Sequence, residues 1–397
     1  MNMGAMERTN AMQTASGRDM RKHPRYRVSI EEYIAFRRQG YLVVKNLVAP
    51  EEIAEIKQHT EELMQGRLPE QRKTMPVRDP KKDGPISAQA LDAPPENLSP
   101  HEKAQYFLRI HMLHRKLAIH EKYLLHPRVL DVLELLIGPD ILAMQTMLFL
   151  KPPGKPGQGW HQDSYYIPTH PDMLIGAWIA VDPCDEYNGA MWFAQGSQDE
   201  PIYPNADPKQ GHSCQRRLSD MTPVSGVSDV NDEHNGLSKV ANKYPQVLVP
   251  AAPGDVVFFG GHVLHRSKAN VTADQFRRAF VSHYTNARSF TQWGADSDPT
   301  RDVHASPCVD PVTRMTNGSH ILARGDTHLP FAQPRFGTFC AAALSPEERR
   351  KERDWAAAAM ADMDSGDMGV APAAGDRIDD DDLETVELKP EPANAGY

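Results

Sequence analysis

Apolar positions along this chain fall into two textures, a helical one before about residue 141 and a short-strand one after it. Residues 1–28 show no hydrophobic period and are expected to form a flexible arm. Ser29-Ile30-Glu31-Glu32 then has the form of a capping box, with Ser29 as N-cap and Glu32 at the third helical position. Gly40-Tyr41-Leu42-Val43-Val44 predicts a strand, and Pro50-Glu51-Glu52-Ile53 opens a helix expected to run to about Leu63. The stretch 66–100, rich in Pro and charge, predicts an irregular loop. From about Pro100 to Leu136 the period is helical again, restarting at Pro127 and stopped by Gly138-Pro139.

Beyond Ile141, apolar runs separated by Pro and Gly predict strands at Leu142–Leu150, Ile175–Val181, Ala190–Phe193, Val247–Val249, Asp255–Phe259 and Arg278–Tyr284. The fold class expected is mainly β with flanking helices, built on a double-stranded β-helix (jelly-roll, cupin-like) core. Residues 199–246 are polar and aperiodic, too long for a turn, and read as an insertion or lid. The pattern is poor after Arg288; a last helix is expected from Ser345 to about Met363, followed by an acidic disordered tail. The organisation predicted is an arm at 1–28, one domain at 29–345, and a helix and tail at 346–397.

Charge narrows the partners. The net charge of −9 is carried by Asp362–Tyr397, which holds 11 acidic and 2 basic residues. The rest is formally neutral, which argues against a nucleic-acid partner. Four cysteines without a CxxC pair suit a reducing compartment, and no stretch approaches a membrane span. Met1–Arg25 lacks a secretory h-region, so a cytoplasmic location is the expectation.

Candidate chemistry lies in Gly159-Trp160-His161-Gln162-Asp163. On an extended strand His161 and Asp163 would share a face and could converge on one ion. A second histidine, His265, follows Asp163 by 102 residues at the end of Gly254-Asp255-Val256-Val257-Phe258-Phe259 and Gly260-Gly261-His262-Val263-Leu264. Two imidazoles and one carboxylate on one face of an octahedron leave positions open for a bidentate oxo acid and O2, the pattern of non-haem Fe(II) oxygenases. Arg277, 12 residues after His265, could grip a carboxylate bidentately, and Ser267 could add a hydroxyl. A lone His-x-Asp among 17 histidines is weak; the ordered set is specific. His262 competes as a ligand, but Gly260-Gly261 places it in a turn.

These segments resemble the phytanoyl-CoA dioxygenase (PhyH) family of Fe(II)/2-oxoglutarate-dependent oxygenases over roughly Gly40–Ala287. The likeness includes Gly138-Pro139-Asp140-Ile141, Thr146–Pro153, His161-Gln162-Asp163, Ala177-Trp178, Asn188-Gly189-Ala190, Gly196-Ser197, His265-Arg266-Ser267 and Phe276-Arg277-Arg278-Ala279. It implies His161, Asp163 and His265 as iron ligands, and Arg277 with Ser267 on the distal carboxylate of 2-oxoglutarate. Met147, Gln162 and Trp178 are implied to line the cosubstrate pocket. Arg277 rather than Arg278 matches, standing two before Ala279. Gln198 and Arg266 depart from the family pattern and bear on the pocket mouth. Halogenating relatives replace the aspartate with a small residue, so Asp163 points to hydroxylation of a C–H bond in a small molecule, with O2 consumed and succinate and CO2 released. A jelly-roll metal-binding or sensor protein without turnover is the alternative; a scaffold has no need of Arg277.

Other candidates read blandly. Trp160, Tyr165, Tyr166 and Trp192 read as packing near the site. His111, His114, His120 and His126 do not share a helical face and suggest a solvated or partly buried helix. Asn317-Gly318-Ser319 is a sequon by form alone.

Overall fold

The computed structural model describes residues 24–71, 93–204, 206, 223–289, 320–327 and 333–334. The helix expected at 345–363, the acidic tail and Asn317 lie outside the described residues.

Two β-sheets face each other. The larger contains β1 (Tyr41–Val44), β8 (Val256–Gly260), β5 (Ile175–Ala180), β10 (Arg277–Asn286), β3 (Ile141–Lys151), β11 (Ile321–Arg324) and β12 (Gln333–Pro334) in that order, with β2 (Arg109–His111) also paired to β3. The smaller runs β4 (Gln158–His161), β9 (His265–Ser267), β6 (Met191–Ala194), β7 (Gln246–Val249). Pairing is antiparallel except between β11 and β12. This is the expected jelly-roll core.

Strand parity explains why the large sheet's strands read as continuous apolar runs. Alternate residues point to opposite faces, and both faces are covered. Trp178, Ala180, Val257, Phe259, Ala279 and Val281 pack into the space between the sheets, against Met191, Phe193 and Val249. Their neighbours Ile175, Ile179, Val256, Phe258, Phe280 and Tyr284 face the other way, into a core shared with the helices. That core takes Ile53, Ile56 and Leu63 from helix Pro50–Met64, and Val129, Val132 and Leu133 from helix Pro127–Ile137.

Helix starts follow the sequence signals. Glu32 N donates to Ser29 Oγ and Ser29 N to Glu32 Oε2, closing the capping box of helix Ile30–Gln39. The stretch Pro100–Leu136 differs from expectation. It holds short helices at Pro100–Ala104 and Ala118–Leu124, a 3-10 turn at Leu113–Arg115, and strand β2. The ladder to Phe149, Leu148 and Met147 overrides the local helical period at Arg109–His111. Consequently the four histidines lie on a strand, a 3-10 turn, a helix and the N-cap of helix Pro127–Ile137, and His114, His120 and His126 are buried rather than solvated. At the start of the described chain, Arg25 pairs with Glu134 and Tyr26 N donates to Asp131 Oδ2, so residues 25 and 26 are tied to that helix.

Candidate active site

His161 and His265 are brought together by register. They end β4 and begin β9, and their Cα atoms are partners across that ladder. Asp163 is not on the strand as the i, i+2 argument assumed. It opens a single helical turn, Asp163–Tyr166, which carries its carboxylate back toward the histidines. Asp163 Oδ1 lies 3.6 Å from His161 Nε2 and 3.7 Å from His265 Nε2. One donor atom from each of the three residues falls within 4.8 Å of the others.

Hydrogen bonds settle which ring nitrogen is free. His161 Nδ1 donates to Gly159 O at 2.8 Å and His265 Nδ1 to Val263 O at 3.0 Å, since a carbonyl can only accept. In the neutral form of either ring Nε2 then carries the lone pair, and both Nε2 atoms lie on the Asp163 side. Burial, and then the neighbouring His265, push His161 down to about 3, so the ring is neutral near pH 7. Burial alone would raise Asp163; His265, the hydrogen bond from His283 and His161 outweigh it and hold the carboxyl well below its ordinary range. Two imidazoles and one carboxylate, buried and convergent, form a donor set that fits a divalent transition metal. His262, the competing histidine, is committed elsewhere: Nδ1 donates to Glu200 O at 2.8 Å and Nε2 meets Asp172 Oδ2 at 2.7 Å.

The three side chains open onto a cavity of about 610 Å³ between the sheets. Met147, Trp178, Ser267 and Arg277 line it, and Gln162 does not. Gln162 Nε2 donates to Pro201 O and His262 O and its Oε1 accepts from Tyr203 N, so the side chain pins two loops. Arg277 is 3% exposed, lies over the rings of Phe149 and Trp178, and has a buried Nε without a partner. Burial lowers its pKa. Arg278 faces away and is held bidentately by Asp182, with Glu61 on its Nη1. Arg266 lines the cavity, stacked over Trp160 and paired with Asp232, whereas Gln198 bonds to Arg37 O and stays outside the lining. Of the four aromatic residues flanking the motif, Tyr166 alone lines the cavity.

A match to the phytanoyl-CoA dioxygenase (PhyH) family spans residues 36–279. The chain belongs to that family. The peroxisomal phytanoyl-CoA dioxygenase of Rattus norvegicus is 29% identical over 262 residues, 65% of this chain and 68% of the relative. A probable phytanoyl-CoA dioxygenase of Caenorhabditis elegans is 28% identical over 269 residues, 65% of this chain and 76% of the relative. Among solved structures, EctD from S. alaskensis with 2-oxoglutarate and 5-hydroxyectoine is similar at 18% identity and a TM-score of 0.45, covering 67% of this chain and 80% of that one. The family is one of Fe(II)- and 2-oxoglutarate-dependent dioxygenases, and this phytanoyl-CoA dioxygenase-family chain is an enzyme of that kind.

Several cavity residues escaped the sequence reading. His283 Nε2 donates to Asp163 Oδ2 at 3.0 Å, leaving Oδ1 for the histidine side. Parity could have found it, because it stands six residues after Arg277 on the same strand. Lys151, four after Met147 on β3, obeys the same rule and also lines the cavity. Arg109 and His111 line it too, and were hidden by the helical reading of that stretch. Among the described residues, no helix is long and apolar enough to cross a membrane.

Proposed function

We propose that His161, Asp163 and His265 hold Fe(II), that Arg277 and Ser267 bind the distal carboxylate of 2-oxoglutarate, and that the enzyme hydroxylates a C–H bond of a small molecule. The observation that best supports this reading is the convergence of two Nε2 atoms and one carboxylate oxygen, in the same cavity as a buried guanidinium. When bound, iron with 2-oxoglutarate and O2 supplies the oxidising power, and succinate and CO2 leave. The chain's own residues orient and exclude water. The Gly159 and Val263 carbonyls fix the imidazoles, and His283 fixes the carboxylate. Arg277 and Ser267 would hold the far end of the oxo acid, in the cavity that His161, Asp163 and His265 also line. Met147, Phe149, Phe259 and Val281 keep the surroundings apolar.

The described second half of the insertion, residues 223–246, is proposed to cover part of the cavity. Ser228, from its second half, lines the cavity and meets Tyr166 Oη at 2.6 Å. Retention of Asp163 favours hydroxylation over halogen transfer. A cytoplasmic location is proposed from the cysteine usage, and imaging of a fluorescent fusion tests it.

Anaerobic titration with Fe(II) and 2-oxoglutarate tests the site: the weak visible charge-transfer band of the chelate is expected in the wild type and absent in His161→Ala. No band in the wild type, with metal affinity unchanged in His161→Ala, overturns the assignment.

A further inference from the structure

Arg277 has a companion. Its Cα partner across the β3–β10 ladder is Lys151, so the two side chains share a face. Lys151 is 4% exposed and lines the same cavity. Its Nζ donates to Ser267 Oγ at 3.0 Å and to Lys268 O at 2.6 Å, so that protonation of the amine adds a third N–H for a ligand. Among the described residues no carboxylate forms an ion pair with Lys151 or with Arg277. The turn at Asn188-Gly189 closes over the amine: Gly189 has φ +90, and a Cβ there would lie 2.8 Å from Lys151 Nζ and 2.7 Å from Lys268 O. The lysine is thus built into the protein beside the one hydroxyl assigned to the distal carboxylate.

A buried guanidinium and a buried amine without a counter-ion, in one apolar-walled cavity, make a site that an arriving anion stabilises. We propose that Lys151 is a specificity-determining residue of the cosubstrate site: with Arg277 and Ser267 it clamps the distal carboxylate of a dicarboxylate oxo acid. The inference rests on the reading of Arg277 and Ser267 as the cosubstrate anchor. An oxo acid with a single carboxylate would leave Arg277 unpaired and the amine uncharged, which is how the clamp selects.

A protonation signature follows. Burial first, and then Arg277, push Lys151 down to about 6, with the buried Cys184 thiol the other titratable group acting on it. Cys184 is itself pushed up to about 12 by burial and so stays neutral. The free site near neutral pH therefore holds an uncharged amine, and a carboxylate arriving beside it restores the ammonium. Binding takes up a proton from solvent.

The test is calorimetric titration of 2-oxoglutarate into the iron-loaded full-length enzyme, anaerobically, at about pH 8 in two buffers of different ionisation enthalpy. The wild type is expected to take up close to about one proton per ligand. Lys151→Met is expected to lose that uptake and to weaken binding by about tenfold or more, with the KM for 2-oxoglutarate raised and kcat at saturation kept. Lys151→Arg is expected to restore affinity without proton uptake, which separates charge from mere packing. Lys151→Met with wild-type affinity and wild-type proton uptake overturns the proposal. Arg277→Met separates the two levels: if it loses 2-oxoglutarate while Lys151→Met does not, the lysine clamp alone falls. If neither the wild type nor any variant binds 2-oxoglutarate, the underlying site reading falls.

Discussion

Arg277 and Arg278 are neighbours in sequence, and the structure assigns them opposite responses to removal. Arg278 is 7% exposed; its Nε and Nη2 donate to the two oxygens of Asp182 at 2.6 and 2.8 Å, and its backbone N adds a third bond at 3.0 Å. Arg278→Met leaves the buried Asp182 carboxylate with Lys57 at 3.6 Å as its remaining cation. Breaking a buried pair in this way costs about 3–5 kcal/mol. Arg277 has no such partner among the described residues, so Arg277→Met removes an uncompensated buried cation. The gain is offset by lost stacking on Phe149 and Trp178, about 1–2 kcal/mol. Its stability is therefore expected within about 1 kcal/mol of wild type, or above it. Its affinity for 2-oxoglutarate is expected to fall by about 2–5 kcal/mol, roughly 30-fold or more. Urea denaturation of the two variants, with 2-oxoglutarate titration of the same samples, reads both quantities. The reasoning fails if Arg277→Met destabilises the protein as much as Arg278→Met, or if Arg277→Met keeps its cosubstrate affinity.

Three further outcomes are expected. His283→Leu frees Asp163 Oδ2 and should weaken divalent-metal binding by about 10–100-fold in chelator competition; an affinity within about twofold of wild type would show that the contact positions nothing. Gly159→Ala would place a Cβ 1.6 Å from Asp229 O, and should cost about 1–3 kcal/mol while loosening residues 223–241 to limited proteolysis. His262 is raised above the ordinary imidazole value: burial opposes the shift, but the hydrogen bond to Asp172, the Glu200 carbonyl and the charge of Asp172 outweigh it. A raised pKa gives stability that is fully present below the unfolded value and lost as pH rises through the folded one. The melting-temperature gap between wild type and His262→Gln should therefore be wide at about pH 6 and narrow by about pH 9; a gap that widens with pH refutes the clasp.

The jelly roll was legible because strands buried on both faces have a period that little else imitates, as at Ile175–Ala180 and Val256–Gly260. The convergence of His161, Asp163 and His265 was legible from order along the chain, although the backbone that delivers Asp163 is a helical turn rather than a strand. Strand β2 was not legible, because Arg109–His111 has no strand signal of its own and is held by pairing to β3. Strand β11 was missed for the same reason, its four residues gaining their place from Ile141, Leu142 and Ala143. His283 and Lys151 carried a signal that went unused: parity from Arg277 and Met147 puts both on the cavity face. Gln162 illustrates the reverse, a motif residue whose amide is consumed by loop carbonyls that no sequence spacing announces.

The cross-strand pairing of His161 with His265 also has a mechanical side. The small sheet is made of strands of three and four residues, and β9 lies between β4 and β6 with only three. An ion held by both histidines would act as a rivet across that ladder, in a sheet otherwise short of amide pairs. Metal loading should slow hydrogen–deuterium exchange at β4 and β9 while leaving the long β3–β10 ladder unchanged, because openings of the small sheet would then require the ion to leave.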